Sequence, residues 1–374
     1  MKFIHTADLH LGQSRGPNRL PPHVKEALRL AERATLRHVL DHAQREECDA
    51  VLIAGDLFHT PTPPAELSSF VRRLFADYPD LQIYITPGNH DPYIPGSPYI
   101  EHEWPENVSI FTHPSRHGLL VDKTSTMVWG FAWTSARNVE NPFSKGIIPS
   151  IVNDQINILM GHGSEINTQP KDWTKYAPFD LSKIDLTGID YVALGHLHKP
   201  QLVKTLDGTT ACYPGTLNPS GFSESGPRSF LQINITDHDA HVTICPSPAP
   251  RFIRTAIAIT PETTLEHILE AFPMPGAIDE PPIIAEVTLL GVAPQSRKYA
   301  FPRLLERLSR HFLHLEIIDK SVSTEDLEKL RNSDDQFGKW YSTVQDAIDT
   351  APSESQRNLL QRALEHGVTA AIHR

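Results

Sequence analysis

The sequence predicts an α/β domain followed by a smaller α+β domain and a helical tail. Three observations carry this prediction. Short apolar runs alternate with helical patterns over residues 1–249, a Pro-rich stretch interrupts the pattern at 246–251, and a compact β-α-β-α-β pattern follows. Alternating strands and helices are typical of a sheet covered by helices.

Six short apolar runs predict the strands of the first domain, at residues 3–7, 50–54, 82–86, 126–132, 156–160 and 189–194. Helical patterns at about 24–45 and 64–76 separate the first three runs. Because the runs are continuously apolar, we expect buried central strands. Segments 201–213 and 229–245 predict hairpins with Asp-Gly and Asp-His-Asp turns, which we expect to form a second sheet of the same domain.

The Pro-rich stretch predicts a linker, so we place the domain boundaries at 1–249, 250–321 and 322–374. In the middle segment, Thr263 and Glu266 have the spacing of a helix capping box. The last segment holds only helical patterns. Its sequence is compatible with a partner-binding segment and with a tail that packs on itself.

Composition excludes several classes of protein. Of the 374 residues, 39% are hydrophobic and 21% are charged, as in ordinary globular chains. No apolar run reaches the roughly 18 residues that a membrane helix needs. Asp8 and His10 come too early for the apolar region of a signal peptide. We therefore expect a cytoplasmic protein without membrane spans.

Charge and cysteine content narrow the remaining classes. The net charge of −11 argues against a stand-alone nucleic-acid binder, because such proteins usually carry a basic footprint. The three cysteines are far apart and form no Cys-x-x-Cys pair. This excludes a cysteine zinc site and a disulfide framework, and it fits a reducing compartment.

Polar metal-binding residue types follow five of the predicted strands. The clusters are Asp8 with His10, Asp56 after Gly55, Asn89 with His90, His162 after Gly161, and His196 with His198. Ligands of open α/β sheets bind at the carboxyl ends of strands, so we expect the five clusters to converge on one crevice.

Carboxylate and imidazole groups together suit manganese, iron or zinc. Even without His90, the seven remaining ligands exceed what a single ion with open positions needs. A carboxylate shared between two ions about 3.5–4 Å apart accounts for the number. The glycines before the ligands let the chain turn tightly beneath the ions.

The series of five motifs resembles the calcineurin-like metallophosphoesterases over about residues 1–245. The resemblance implies a two-sheet α/β sandwich with two divalent metal ions, with manganese expected and iron, zinc or magnesium as alternatives. Carried over by motif, the first metal is held by Asp8, His10 and His198, the bridge is Asp56, and the second metal is held by Asn89, His162 and His196. His90 then lies over the phosphate, as a stabiliser of the transition state or as the acid.

Within the family, the stretch from Gly55 to His59 is similar to the SbcD-like DNA repair nucleases and, more narrowly, to YhaO-type exonucleases. Protein phosphatases usually carry an acidic residue and an arginine there. Residues 213–219 and the pair Phe222 and Glu224 are also similar to the nuclease branch. The resemblance implies that His59 orients groups near the phosphate, although it also fits a loop cap before Pro61.

This branch implies a DNA exonuclease that works with an SbcC-like coiled-coil ATPase, possesses a capping domain at 250–321, and forms homodimers. No ATP-binding phosphate loop occurs in the chain, so any ATP dependence comes from a partner. A small-molecule phosphodiesterase with the same metals, and a DNA-binding scaffold protein with weak catalysis, are the alternatives. Arg15 and Arg19 are candidates for phosphate contacts. The aromatic loop 92–105 fits base stacking or a packed rim.

Overall fold

The structure is a computed structural model that describes residues 1–114, 117–121, 124–135, 143, 155–168, 177–204, 209–274, 280–293 and 306–372. The chain divides into two compact units, Met1–Pro250 and Arg251–Arg374. None of the described helices is long and apolar enough to cross a membrane.

The first unit contains fourteen described strands. They are β1 (Lys2–Thr6), β2 (Ala50–Ala54), β3 (Gln82–Thr86), β4 (Val108–Ile110), β5 (His117–Val121), β6 (Thr126–Gly130), β7 (Ile156–His162), β8 (Ser164–Glu165), β9 (Pro178–Phe179), β10 (Tyr191–Gly195), β11 (Gln201–Lys204), β12 (Thr210–Tyr213), β13 (Ser229–Thr236) and β14 (Asp239–Pro246). The described helices of this unit are α1 (Pro22–Arg45), α2 (Ala65–Ala76) and α3 (Pro98–Glu101).

Most of these strands form two six-stranded sheets. The first has the order β14-β13-β1-β2-β3-β4, and the second has the order β11-β12-β10-β7-β6-β5. Strands β1 to β4 run parallel, and so do β6, β7, β10 and β12. The short strands β8 and β9 pair with each other. The predicted two-sheet α/β fold is therefore confirmed.

The core of the first unit lies between the sheets and beneath the helices. Phe3, Leu52 and Tyr84 of the first sheet pack in one cluster with Ile158 and Tyr191 of the second. The opposite face of the first sheet buries residues of α1 and α2. All five residues of β2 are buried, which is why its sequence is continuously apolar. This packing fixes the carboxyl ends of the central strands.

The two predicted hairpins form, but not as one second sheet. The pair β11 and β12 extends the second sheet, whereas β13 pairs antiparallel with β1 and carries β14 at the edge of the first. That part of the prediction was wrong. An unpaired β1 would expose an edge, and β13 covers it while Leu231 and Ile233 enter the core between the sheets. The turn residues Asp237 and His238 have positive φ angles, as a tight hairpin requires. The Asp-Gly turn at 207–208 lies outside the described residues.

The second unit is built on a three-stranded parallel sheet. Its strands are β15 (Arg251–Ile259), β16 (Ile283–Ala293) and β17 (His314–Ser323), in that order. Helix α4 (Leu265–Glu270) connects the first two strands, and residues 306–309 are helical before the third. Helix α4 is capped by Thr264, whose hydroxyl accepts from the His267 amide. The predicted capping box on Thr263 was therefore one residue early, and His267 rather than a glutamate completes it.

Three helices follow the sheet within the same unit, α5 (Thr324–Arg331), α6 (Gln336–Asp349) and α7 (Glu354–Ile372). Their apolar residues share a core with the end of β17: Val322 packs with Tyr341, Ile348, Leu364 and Val368. The tail is thus packed against the last strand. The boundary placed at residue 321 stays a prediction.

Candidate metal centre

Loops at the carboxyl ends of five strands bring all the predicted site residues together. The residues follow or end β1, β2 and β3 of the first sheet and β7 and β10 of the second: Asp8, His10, Asp56, His59, Asn89, His90, His162, His196 and His198. The strands are parallel within each sheet, so their carboxyl ends meet at one edge of the sandwich.

The first group consists of Asp8, His10 and His198, whose ligand atoms lie within 4.8 Å of one another. The Nε2 atoms of His10 and His198 are 3.0 Å apart. The Asp8 carboxylate accepts from the backbone amide of His196, at 2.9 Å from Oδ2. Asp8 and His10 are buried. This group joins the end of the first sheet to the end of the second.

Asp56 lies between the two halves of the site. Its Oδ2 is 3.6 Å from Nε2 of His10 and 3.4 Å from Nε2 of His162. Its Oδ1 accepts from the His90 amide at 2.9 Å. With Asp8 and His162 it forms a further group of ligand atoms within 4.8 Å. The position of this carboxylate suits a ligand shared by two ions.

The second half of the site is centred on Asn89. Its Oδ1 lies 3.0 Å from Nε2 of His162 and 3.2 Å from Nδ1 of His196. The Nδ1 atom of His162 donates to the carbonyl of Ala54 at 2.9 Å, so in the neutral ring Nε2 carries a lone pair. Trp133 donates to the His162 carbonyl and holds that end of β7 in place.

The donor set fits a divalent cation. When the His162 ring is neutral, its Nε2 lone pair points at Asp56 Oδ2 and Asn89 Oδ1, so three acceptors converge with no donor between them. Burial lowers the pKa of His162, but the Asp56 carboxylate outweighs it and raises that pKa to about 9. The raised pKa means that the site stabilises a positive charge. A divalent metal ion supplies that charge, and carboxylate, amide and imidazole groups are suitable ligands for it.

Burial also prepares two other imidazoles as ligands. It lowers the pKa of His196 to about 3 and holds that of His10 well below its usual range. Because their pKa values are low, both rings are neutral at neutral pH. A histidine must be neutral to bind a metal ion.

Strained backbone aims the carboxylates and one imidazole. Asp8, His10 and Asp56 have φ angles of 53°, 46° and 53°, in the left-handed region. Such a residue costs on the order of 1–3 kcal/mol and persists where the surroundings enforce it. The Asp8 amide donates to the Gly55 carbonyl and the His10 amide to the Asp56 carbonyl, so the loops after β1 and β2 hold each other in this conformation.

Two glycines make room for the ligands. A Cβ atom on Gly55 would lie 2.1 Å from Nδ1 of His162, and one on Gly88 would lie 2.2 Å from Oδ1 of Asp56. Gly55 also has a φ angle of +91°. The prediction of a tight turn holds at Gly55, and at Gly88 the close approach of a ligand is the reason for glycine.

His90 and His59 lie beside this centre. The Nδ1 atom of His90 donates to the backbone carbonyl of His59 at 3.0 Å. The two rings are stacked with centroids 5.0 Å apart, and the His90 centroid is 4.7 Å from that of His10. Both side chains are half-buried. They therefore form a rim next to the buried ligands.

Glu224 is a site residue to which sequence reasoning assigned no role. Its Oε1 accepts from Nδ1 of His198 at 2.5 Å, and its Oε2 accepts from the Ser220 amide at 2.6 Å. Burial opposes ionisation, but these hydrogen bonds lower the Glu224 pKa to about 2. Arg228 donates to the carbonyls of both His198 and Glu224. In the sequence, Glu224 was noticed only as part of the Phe222 and Glu224 pair that is similar to the nuclease branch.

Asp91 was also missed as a supporting residue. Its carboxylate accepts from the amides of Gly88 and Phe58 and from the hydroxyl of Tyr99, at 2.8, 2.9 and 2.6 Å. Burial and the nearby charge of Asp56 raise its pKa to about 7. It ties the loop after β3 to the loop after β2. Its place directly after His90 was the available signal.

Arg15, one of the two candidates for phosphate contacts, is instead a buried structural residue. Arg15 is 5% exposed. Its guanidinium donates to the carbonyls of Leu9 and Asn218, both at 2.7 Å, and its Nε lies 3.6 Å from Glu32. The guanidinium group is thus occupied by a buried carboxylate and by backbone carbonyls. Arg15 therefore stabilises the loop that carries Asp8 and His10. Arg19 is exposed and its role stays a prediction.

The aromatic loop after Asp91 forms a packed rim. Tyr99 is buried and stacks on Trp104 with centroids 5.8 Å apart. The indole of Trp104 donates to the Pro98 carbonyl at 3.1 Å. Of the two interpretations of this loop, the structure favours packing over base stacking.

The chain is similar in sequence to several known proteins. The chain is 29% identical over 245 residues to the uncharacterized metallophosphoesterase YhaO of Bacillus subtilis (strain 168), covering 64% of this chain and 58% of that protein. It is 24% identical over 251 residues to the SbcD component of the nuclease SbcCD of Staphylococcus epidermidis, covering 60% and 63%. The SbcD component of Bacillus subtilis is 26% identical over 268 residues, covering 62% and 66%. The chain thus matches only about three fifths to two thirds of the length of each of these relatives.

The family assignment rests on the part of the chain that carries the site. Residues 1–200, more than half of the 374 residues, match the family described as calcineurin-like phosphoesterases. This stretch contains every predicted ligand and both rim histidines. The two-sheet fold and the convergent ligands agree with the resemblance seen in the motifs. The chain belongs to the calcineurin-like phosphoesterase family.

Proposed function

We propose that this phosphoesterase is a dinuclear-metal DNA exonuclease that hydrolyses phosphodiester bonds with an activated water. The observation that carries the proposal is the position of Asp56 within 3.6 Å of imidazoles on both sides of the site. The first metal is assigned to Asp8, His10 and His198, the second to Asn89, His162 and His196, and Asp56 is shared. Manganese is the proposed ion, because the ligands mix carboxylate, amide and imidazole groups.

When bound, two divalent ions neutralise the phosphodiester oxygens and lower the pKa of a coordinated water to near neutrality. The protein contributes the geometry. Glu224 fixes the Nδ1–H tautomer of His198, so that Nε2 faces the site. The backbone of Ala54 does the same for His162. Asp8 is fixed by the amide of His196, which ties the ligands of the two sheets together.

His90 is the proposed general acid. Its Nδ1 is occupied by the His59 carbonyl, so the proton that it delivers to the leaving oxygen sits on Nε2. Imidazole is the side chain that most often carries out such proton transfers in enzymes. His59 stacks on His90 and lies where it orients the acid and contacts the phosphate.

DNA is the proposed substrate for two reasons. Two relatives are named as the SbcD component of the nuclease SbcCD. The residues after Asp56 are Leu57, Phe58 and His59, the pattern of that branch. We accordingly place the protein in the cytoplasm, at the nucleoid, in the processing of double-strand ends with an SbcC-like coiled-coil ATPase. Homodimerisation belongs to the same proposal.

The second unit is proposed to serve as a capping domain over DNA and as the ATPase docking element. Leu359 on α7 is 64% exposed, although Leu364 and Val368 of the same helix are buried. A single exposed apolar side chain is common on protein surfaces, so Leu359 serves here as a probe of the proposed docking helix. We expect Leu359→Glu to weaken ATPase binding in a pull-down and to leave the metal content unchanged.

The proposal is tested with purified protein, manganese, end-labelled linear duplex DNA and a cyclic dinucleotide. We expect manganese-dependent release of nucleotides from the DNA ends, with loss of the activity in His90→Asn and with chelator. The label that shortens reports the polarity. Cleavage of the cyclic dinucleotide alone would instead make the protein a small-molecule phosphodiesterase. Binding of DNA without cleavage, with both ions present and the ATPase added, would make it a scaffold protein.

A further inference from the structure

Three imidazoles converge at the rim of the proposed metal centre. One ring nitrogen from each of His10, His59 and His90 lies within 4.8 Å of the other two. The ring centroids are 4.7 Å apart for His10 and His90, 5.0 Å for His59 and His90, and 5.5 Å for His10 and His59. Only one of these three residues, His10, also belongs to the proposed ligand set of the two-metal centre.

The rim histidines have nitrogen atoms left to bind a cation. His90 donates through Nδ1 to a backbone carbonyl, so Nε2 of the neutral ring is an acceptor. The Nδ1 atom of His59 is buried and has no hydrogen-bond partner within the described part of the chain. Buried polar atoms are normally satisfied, and an unsatisfied one needs an explanation. A cation ligated by Nδ1 of His59 provides that explanation.

The donor type of this rim differs from that of the centre beneath it. The centre mixes four imidazoles with two carboxylates and an amide oxygen, whereas the rim contributes imidazole nitrogens alone. Imidazole suits zinc, copper and nickel, whereas oxygen ligands suit manganese and magnesium. A rim of imidazoles alone therefore favours a zinc-type ion more strongly than the mixed centre does.

We propose that His59 and His90 form a separate site, next to His10, for a zinc-type transition-metal ion. Binding of the ion at this site inhibits the enzyme. This inference rests on the proposed function, in which the same two imidazoles face the substrate phosphate. An ion ligated by both rings takes both imidazoles away from the phosphate. Zinc bound here acts as a reversible inhibitor that competes with substrate, while the manganese ions remain in place.

The test is zinc binding to the full chain already loaded with manganese, by equilibrium dialysis and elemental analysis. We expect one zinc ion per chain to bind with no loss of manganese. His59→Ala and His90→Ala should each lose this zinc ion and keep their manganese. His241→Ala, an exposed histidine on β14, is the matched control and should bind zinc as the wild type does. Circular dichroism verifies that each variant is folded.

Two results would overturn the inference. One is release of manganese in proportion to the zinc taken up, which would place zinc in the two-metal centre. The other is unchanged zinc binding in both rim variants. The inhibition itself is measured on the DNA substrate, where the half-inhibitory zinc concentration should rise at least about tenfold in His59→Ala. Zinc binding is measured without substrate, so its result remains interpretable even if the protein proves not to be a nuclease.

Discussion

The imidazole of His198 donates through Nδ1 to Oε1 of Glu224, at a distance of 2.5 Å. The two residues come from different loops, and Arg228 fastens both of these loops by donating to their backbone carbonyls. A carboxylate behind a metal-binding histidine sets its tautomer and raises its basicity. The pair thus links the loop after β10 to the segment around Ser220.

Replacing Glu224 by Gln should weaken the binding of the first ion. Loss of such a supporting carboxylate typically costs about 10–100-fold in metal affinity. Isothermal titration with manganese measures the change. Glu106→Gln, at an exposed glutamate, should bind manganese like the wild type. Equal affinity in the Glu224 variant would remove this residue from the metal centre.

Asp56→Ala should lose both ions together, because one carboxylate serves both halves of the site. Elemental analysis after dialysis gives the number of ions per chain. Asp334→Ala, at an exposed aspartate, should keep the full content. A folded Asp56 variant that retains two ions would contradict the shared role.

His90→Asn should keep its metals and lose activity. If His90 is the acid, the loss in kcat is on the order of 10²–10⁴-fold. The assay on duplex ends, with metal content measured on the same sample, separates catalysis from metal loading. An undiminished kcat would exclude His90 as the acid.

Arg15→Leu should destabilise the first unit rather than weaken DNA binding. The variant leaves Glu32, which is 2% exposed, without its cation. Breaking a buried ion pair on one side costs about 3–5 kcal/mol, whereas removing both partners costs less. Denaturant unfolding of Arg15→Leu and of the double variant with Glu32→Leu measures both effects. The exposed Arg29→Leu should leave the unfolding midpoint unchanged. A larger effect on DNA affinity than on stability would restore the phosphate-contact hypothesis.

Manganese affinity should fall as the pH decreases below about 9. His162 has a pKa of about 9 in the metal-free protein, because Asp56 stabilises its charged form. A metal ion binds only the neutral ring, so below this pH each binding event must release its proton. The affinity then falls about tenfold per pH unit for each proton released. Titration calorimetry in buffers of different ionisation enthalpy counts the protons. Binding without proton release at pH 7 would contradict this assignment.

The strands and the clustering of the site were predictable because both depend on local sequence. A continuously apolar run such as β2 signals a buried strand, and polar residues directly after parallel strands must meet at one edge. That is why His10 and His198 were expected to meet, although they are far apart in the chain.

The errors concern contacts that local sequence does not encode. The role of Arg15 depends on the carboxylate of Glu32 on α1 and on the backbone carbonyl of Asn218, and neither residue is its neighbour in the sequence. The role of Glu224 depends on the direction of the His198 ring. The hairpin of β13 and β14 joins the sheet that has an unpaired edge strand next to it. The sequence of the hairpin does not show which sheet that is.

The most direct test of the two-metal centre is anomalous scattering from crystals of the protein grown with manganese. We predict two peaks about 3.5–4 Å apart. Both peaks should lie against Asp56, one beside His10 and His198 and the other beside His162 and His196. A single peak, or two peaks that do not share Asp56, would contradict the shared-carboxylate centre.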